Sequence, residues 1–242
     1  MSQRKIERVD SIPLIVTWLL KMKVDVIIDR IWTPHSNWTG LSYGQLAILF
    51  VTFVICERSH ALSRMEKWRS DHQFTLEEVT KWQIGLKEAT DDRLGILLEA
   101  IGSDDRQAVE FQLQMGQQLI QAYELPTNVA RYDTTSINVH HAAAESEEQK
   151  HQLLRHGYSK DKRPDLLQFK VGLGTLDPAG IPLLTHTRIL EVADDLYCLL
   201  GSKWSKLLAI KIFSLLPIVR PQLSPHALLS LLVVDLTSFQ WL

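Results

Sequence analysis

The chain has few cysteines, no long apolar run and no excess of one charge. Its two cysteines, Cys56 and Cys198, form neither a disulfide framework nor a metal-ligand spacing, and such sparse use predicts a reducing, cytoplasmic setting. The N-terminal residues alternate in charge without an apolar core, unlike a secretory signal. The best membrane candidate, Leu46 to Ile55, is about half as long as a bilayer crossing requires, so we expect a buried helix and no membrane partner.

Charge and hydropathy place the chain among ordinary globular proteins. It has 242 residues, 45% of them hydrophobic, and a net charge of -2. A chain of this size can bury one large or two small cores. Because the overall charge does not attract a phosphate backbone, any nucleic-acid binding must come from a local basic patch.

The first half of the chain has apolar residues three and four apart, which predicts six or seven helices. Ser42 and Thr90 are candidate N-caps for two of them. Thr75 followed by Glu78 has the pattern of a capping box, so a short helix is expected to start there. We expect the tryptophans of this region to pack between helices rather than to stack on bases: Trp18, Trp32, Trp38, Trp68 and Trp82.

The last predicted helix runs from Asp104 to Glu124 and stops before Pro126. We expect it to direct Val109, Leu113, Leu119 and Ile120 inward. Four cations ahead of it could follow a DNA backbone, although a solvated helix face explains them as well: Arg58, Arg64, Lys67 and Arg69.

Beyond Pro126 the pattern changes to strands. β-forming residues alternate from Val129 to Val139, which predicts a strand. Two β-prone runs follow, Leu166 to Leu176 and Ile181 to Thr187, joined by the turn sequence Asp177-Pro178-Ala179-Gly180. The sequence therefore predicts an α+β chain in which a β-hairpin pairs with the preceding strand.

Asp133 is the main candidate for chemistry. It lies on the first predicted strand, which is followed by a polar loop and a hairpin, and a ribonuclease-H-like core begins in this order with a metal-binding carboxylate on its first strand. Without further evidence, a solvated aspartate is the more common interpretation of such a residue. Adjacent strand residues point to opposite faces, so His140 and His141 are not expected to share a metal ion.

Lys160, Lys162 and Arg163 form a local basic patch beside the hairpin. Such a patch is suited to phosphate contacts that position DNA without reading its sequence. A charged, solvated loop is an equally open interpretation.

Several short blocks of sequence are more specific together than any one alone. They are Glu7 to Pro13 (ERVDSIP), Asn37 to Leu46 (NWTGLSYGQL), Ala89 to Leu94 (ATDDRL), Tyr132 to Ser136 (YDTTS), Gly157 to Leu166 (GYSKDKRPDL) and Gly174 to Gly180 (GTLDPAG). In this order they resemble bacterial insertion-sequence transposases of the DDE class, in the group whose N-terminal region is a domain of unknown function. The similarity spans roughly residues 6–197.

The resemblance implies DNA strand cleavage and transfer. It makes Asp133 the first of three catalytic carboxylates and a ligand of Mg²⁺. Two Mg²⁺ ions bridged by such carboxylates would activate the attacking oxygen and stabilise the leaving one. The implied partner is DNA, at the terminal inverted repeats of the element.

Residues 198–242 depart from this pattern, because prolines interrupt the apolar sequence and Asp235 is its only acid. The resemblance predicts a helix and then a strand close to Phe-Val-Ala-Asp-Cys-Lys, whose Asp is the second carboxylate. Leu216 to Arg220 can be encoded by TTG CCG ATT GTA AGG, and the same letters with a preceding G, read from that G, give GTT GCC GAT TGT AAG, which is Val-Ala-Asp-Cys-Lys. We therefore hypothesise that residues 198–242 are out of frame and that the missing codon straddles Pro217 and Ile218. Genuine apolar C-terminal helices are the alternative.

These expectations give three regions: a helical domain over 1–125 for DNA-end binding or dimerisation, a partial ribonuclease-H-like core over 126–197, and an apolar tail over 198–242. The third carboxylate, a Glu, has no counterpart, so this chain is expected to be inactive. One alternative is a non-catalytic regulator that binds DNA or dimerises, with itself or with full-length transposase. Another is the short product of a programmed frameshift.

Overall fold

The computed structural model of the chain describes residues 6–140, 154–157, 163–189, 208 and 212–214. Contacts divide the chain into two compact units, with a boundary between Ala122 and Tyr123. The described residues of the first unit form helices, and those of the second build a β-sheet. The predicted α+β class is confirmed.

Seven helices fall within the described part of the first unit, as periodicity predicted. They are α1 (Ile12–Lys21), α2 (Val24–Ile31), α3 (Tyr43–Glu57), α4 (Leu62–Asp71), α5 (Gln73–Thr80), α6 (Asp91–Gly102) and α7 (Asp105–Ala122).

Side-chain caps confirm two of the predicted helix starts. At α3, the Ser42 hydroxyl accepts the Gln45 amide at 3.1 Å, and the Gln45 side chain accepts the Ser42 amide at 3.0 Å. At α6, the Thr90 hydroxyl accepts the Arg93 amide at 3.4 Å. These bonds satisfy first-turn amides that have no partner within the helix.

The capping box predicted at Thr75 and Glu78 is wrong. α5 begins at Gln73, because His72 ends α4 and also precedes the first turn of α5. Thr75 therefore lies inside the helix, where its hydroxyl cannot serve as an N-cap.

Glu7 supplies the cap that Thr75 does not. Its carboxylate accepts the Phe74 amide at 3.1 Å and the Thr75 amide at 2.9 Å, and it also accepts the Thr75 hydroxyl at 3.2 Å. A negative charge at a helix N-terminus is favourable, because the free amides there carry partial positive charge. The segment before α1 is thus fastened to α5.

α3 is the core helix of this unit. Every residue from Leu46 to Phe53 is buried, as expected for a helix that is apolar on all sides. α1 and α2 pack against it. A Cβ added at Gly44 would lie 2.1 Å from the Asp25 carbonyl oxygen, so α2 and α3 meet there at backbone contact. The predicted buried helix is confirmed.

α7 buries a different face from the one predicted. Val109 is 45% exposed, whereas Phe111 and Met115 are buried. The Phe111 ring packs on the buried Trp32 with centroids 5.6 Å apart, so the contact with the end of α2 decides which apolar stripe faces inward. The expected packing role is confirmed for Trp32 and for Trp68, which contacts Phe53.

The sheet of the second unit has five described strands: β1 (Val129–Val139), β2 (Arg155–His156), β3 (Leu167–Leu176), β4 (Ile181–Ile189) and β5 (Ile212–Ser214). β3 is central. β1 pairs antiparallel along one of its edges, and β4 pairs antiparallel along the other, which β2 extends. The predicted strand and hairpin are confirmed.

β5 adds a parallel neighbour on the outer edge of β1. Val129, Ala130 and Arg131 pair with Ile212, Phe213 and Ser214. This strand was not predicted, since it lies in the region expected to be out of frame.

Within the described residues, no single helix has the length and hydropathy for a membrane crossing. The pair α3 and α4 meets both criteria only when taken together, and it is bent by 91°.

Candidate functional site

Asp133 lies at the centre of β1, opposite Leu173 on β3. Its side chain is half-buried, and one carboxylate oxygen accepts the Thr134 amide at 2.8 Å. The second oxygen has no bond to a described side chain. The strand thus presents a partly solvated carboxylate on one face of the sheet.

The neighbouring position on that face, Arg131, is tied to the β3–β4 turn. Its guanidinium lies 2.6 Å from the Asp177 carboxylate, and the Asp177 amide donates to the Val129 carbonyl at 3.0 Å. The turn is therefore fastened to β1. This ion pair, which sequence reasoning did not identify, fixes the strand two residues from Asp133.

A two-metal site is not completed by the described residues. No three His, Cys, Asp or Glu side chains come together there, and Asp133 is the carboxylate that the central strand provides. Mg²⁺ requires an octahedral set of oxygen ligands. A single carboxylate supplies only part of such a set and does not by itself bridge two ions. The arrangement can position one ligand and does not by itself fit the pair of ions.

On the opposite face of the sheet lies Tyr132, whose side chain is buried and only 2% exposed. A Cβ added at Gly172 would lie 1.7 Å from the Tyr132 hydroxyl oxygen, so the ring crosses β3 at this glycine. At Gly174, an added Cβ would lie 2.8 Å from Cγ of Leu184, so this glycine leaves space for the Leu184 side chain. Alternating glycines in a strand mark close approach of another group, a signal that could have predicted this contact.

Of the three cations predicted to contact DNA, Lys160 and Lys162 lie outside the described residues. Arg163 is exposed, and its guanidinium forms two bonds with Asp165, of 2.8 and 2.7 Å. These bonds hold the pKa of Asp165 at about 2, well below its usual range. The charge of Arg163 is therefore partly balanced within its own loop.

Gln168, on β3, contacts Gly157 and Arg163, the described residues on either side of residues 158–162. The residue is fully buried, and its amide nitrogen donates to the Gly157 carbonyl at 3.2 Å and also to the Arg163 carbonyl. Gly157 and Arg163 are thus both held at one position of β3.

Two of the four cations of the helical region, Lys67 and Arg69, already have partners within the chain. Arg69 is 1% exposed, and it donates to Gln73 and to the Leu86 carbonyl. Lys67 is ion-paired with Asp71 at 2.6 Å. For Arg69 neither of the two open interpretations is right, because its guanidinium is buried and bonds to the loop after α5.

Two of the sequence blocks meet in space around Arg93. Its guanidinium lies 3.8 Å from the centroid of the Trp38 ring and 3.1 Å from the Glu88 carboxylate, and it donates to the Thr39 carbonyl at 2.9 Å. Glu88 in turn accepts the Leu41 amide at 2.9 Å. These blocks hold a loop against the start of α6, which is a structural role.

The histidine pair is only partly placed. His140 follows β1 and is exposed, and His141 lies outside the described residues. No metal ligation is assigned to either.

Comparison of the chain with protein-family models, with curated proteins and with solved structures gives no match.

Proposed function

We propose that this chain contains the N-terminal helices and the opening strands of a DDE transposase, and that it does not cleave DNA by itself. The observation that carries the proposal is the position of Asp133, at the centre of a strand that pairs with an antiparallel hairpin. A strand–hairpin order with a first-strand carboxylate is how a ribonuclease-H-like core begins.

The second metal-bridging carboxylate of such a core has to come from a segment beside β1, since both carboxylates must reach the same ions. β5 lies on that edge of β1, within the residues hypothesised to be out of frame, so its pairing does not support the proposal.

The proposed substrate is duplex DNA at terminal inverted repeats, in the cytoplasm of a bacterium, with Lys160, Lys162 and Arg163 as backbone contacts. Mg²⁺ is the proposed cofactor of the intact site. No residue after Tyr197 matches the second carboxylate. Asp235 is the only acidic residue there, and its neighbours do not match the expected strand sequence Phe-Val-Ala-Asp-Cys-Lys. Asp133 alone therefore leaves the two-metal chemistry incomplete.

Reading the gene tests the proposal most directly. After Tyr197, the reading frame that begins one base earlier should be open and should encode Val-Ala-Asp-Cys-Lys. Stop codons throughout that frame would sink the frameshift hypothesis. A slippery run near the codons for Asp194 to Cys198, with a longer product on a blot, would instead show that the shift is programmed.

A cleavage assay tests the chemistry. With Mg²⁺ and a duplex carrying the terminal repeats, we expect no nicking by this chain and nicking by a version continued in the frame that begins one base earlier. Asp133→Asn should lower the rate of that version by at least about two orders of magnitude, because it removes a metal ligand. Asp105→Asn is the matched control, as its carboxylate is exposed in the first turn of α7 and lies outside the proposed DNA and metal contacts. Equal losses in both variants would refute the role of Asp133.

The non-catalytic regulator remains a second candidate, favoured by the helical unit having a buried core of its own around α3. Such a chain would bind the terminal repeats, or dimerise with itself or with full-length transposase, without cutting. A gel shift with the terminal repeats, and sedimentation of the chain with and without full-length enzyme, would detect this. No shift and no complex would exclude it.

A further inference from the structure

The segment before α1, residues Glu7–Ser11, is tied to two helices, and we call it the strap. Its first residue caps α5 through the Phe74 and Thr75 amides. Its last residue donates its backbone amide to the Cys56 thiol near the end of α3. Between these anchors the backbone of Asp10 is left-handed, with a φ of 48°. The strap therefore joins the end of α3 to the start of α5.

His72 lies beneath the strap, at the corner where α4 ends and α5 begins, and it is 8% exposed. Its ring packs on the Trp68 ring, with centroids 5.2 Å apart. Its Nδ1 atom lies 2.9 Å from the Trp68 carbonyl oxygen. Because a carbonyl oxygen only accepts hydrogen bonds, Nδ1 carries a hydrogen. In the neutral ring the other nitrogen, Nε2, is then an acceptor.

The Nε2 atom of His72 faces a second acceptor. It lies 3.9 Å from one carboxylate oxygen of Asp10, whose other oxygen accepts the Arg8 guanidinium at 2.6 Å. A neutral ring therefore directs a lone pair at a negative charge, whereas a protonated ring can donate to both acceptors. An opposite charge at this distance favours the protonated ring and offsets the burial that opposes it.

Asp10 is the acidic residue that lies within ion-pair distance of the His72 ring in the described part of the chain. α1 carries no charged side chain before Lys21. The other charged or titratable groups of the packed elements are exposed or bonded to other partners: Glu7 and Arg8 on the strap, Cys56 and Glu57 at the end of α3, Arg69 and Asp71 on α4, and Glu77 on α5. A proton on His72 therefore acts on the strap through Asp10.

We propose that the strap is a pH-sensitive latch, which closes when the His72 ring takes up a proton. The charged ring attracts Asp10, so the strap binds the α4–α5 corner more tightly. Imidazole side chains change charge between about pH 5 and 8, a range in which carboxylates are largely ionised. The hold is therefore stronger at about pH 6 and weakens as the proton leaves towards about pH 8. The latch does not depend on the chain being a transposase.

Hydrogen exchange of the full chain, resolved by NMR, tests the latch. The backbone amides of Ser11, Phe74 and Thr75 report on it, because the closed strap holds them in hydrogen bonds. After correction for intrinsic exchange rates, their protection should be at least about threefold higher at pH 6 than at pH 8. Equal protection at the two pH values in the unaltered chain would overturn the proposal.

Two variants separate the latch from a general effect of pH. Asp10→Asn removes the charge but keeps a residue type that tolerates the left-handed backbone, so it should abolish the pH difference with unchanged circular dichroism. His72→Gln should abolish the difference as well. The matched control, His35→Gln, changes an exposed histidine in the loop before α3 and should retain it.

A pH difference that persists in Asp10→Asn would contradict the proposal, as would its loss in His35→Gln. If His72→Gln lowers the helix content, Asp10→Asn decides the outcome, because it preserves the buried ring and its packing on Trp68.

Discussion

Individual residues decide how closely the strands approach. Gly172 leaves the space that the Tyr132 ring fills, and Gly174 leaves the space for Leu184. These contacts join residues on different strands, so their cause lies in the pairing register rather than in the local sequence. A side chain at either glycine would collide with a buried neighbour.

Gly172→Ala should destabilise the sheet by about 1–3 kcal/mol, the usual range for overpacking. A Cβ there would lie 1.7 Å from the Tyr132 hydroxyl oxygen. Denaturation followed by circular dichroism would measure the loss. In a Tyr132→Leu background, whose side chain ends short of Gly172, the cost of Gly172→Ala should largely disappear. Gly95→Ala is the control, because nothing lies within 4 Å of its Cβ position. A similar loss at both glycines would contradict the steric cause.

Cys56 should be a poorly reactive thiol. Burial, and then the charges of Asp10 and Glu57, raise its pKa to about 11. In a Cys198→Ser variant, labelling at pH 8 should be about two orders of magnitude slower than for a free cysteine, since the thiolate reacts. The rate should keep rising towards pH 11. Glu57→Gln should speed labelling, because it removes a like charge. Equal rates in the folded and denatured chain would contradict this.

At the scale of elements, local sequence signals predicted the helix starts whose capping partners are close in sequence. Ser42 and Thr90 cap their helices through bonds to residues three positions on, so sequence spacing was enough. Thr75 failed because the real cap of α5 is Glu7, a partner that only the fold brings close. The inward face of α7 failed for the same reason, since Trp32 selects Phe111.

Glu7→Ala should therefore destabilise the helical unit by about 1–2 kcal/mol, as the loss of a helix cap and its charge does. Glu7→Gln should cost less, because one oxygen still accepts an amide. Glu66→Ala, at an exposed position of α4, removes the same charge and should stay within about 0.5 kcal/mol of the parent. Chemical denaturation would compare the three. No difference between Glu7→Ala and Glu66→Ala would show that the cap contributes nothing.

At the scale of the whole molecule, the α+β order, the seven helices, β1 and the hairpin followed from periodicity and turn residues. The position of Asp133 on a strand followed as well. Its surroundings did not, because the Arg131–Asp177 ion pair and the parallel strand β5 depend on long-range pairing. The DNA contacts assigned to the loop remain predictions, and Arg69 was misjudged because composition cannot show that a cation is buried.

The parallel pairing of β5 also sets an order of assembly on the ribosome. The antiparallel strands can form as soon as residue 189 emerges, but the outer edge of β1 waits for residues 212–214. At roughly 5–20 residues per second, that edge stays open for one to several seconds in each nascent chain. An open edge pairs readily with a strand of another chain. Slower initiation, which lowers the number of nascent chains present together, should therefore raise the yield of folded protein.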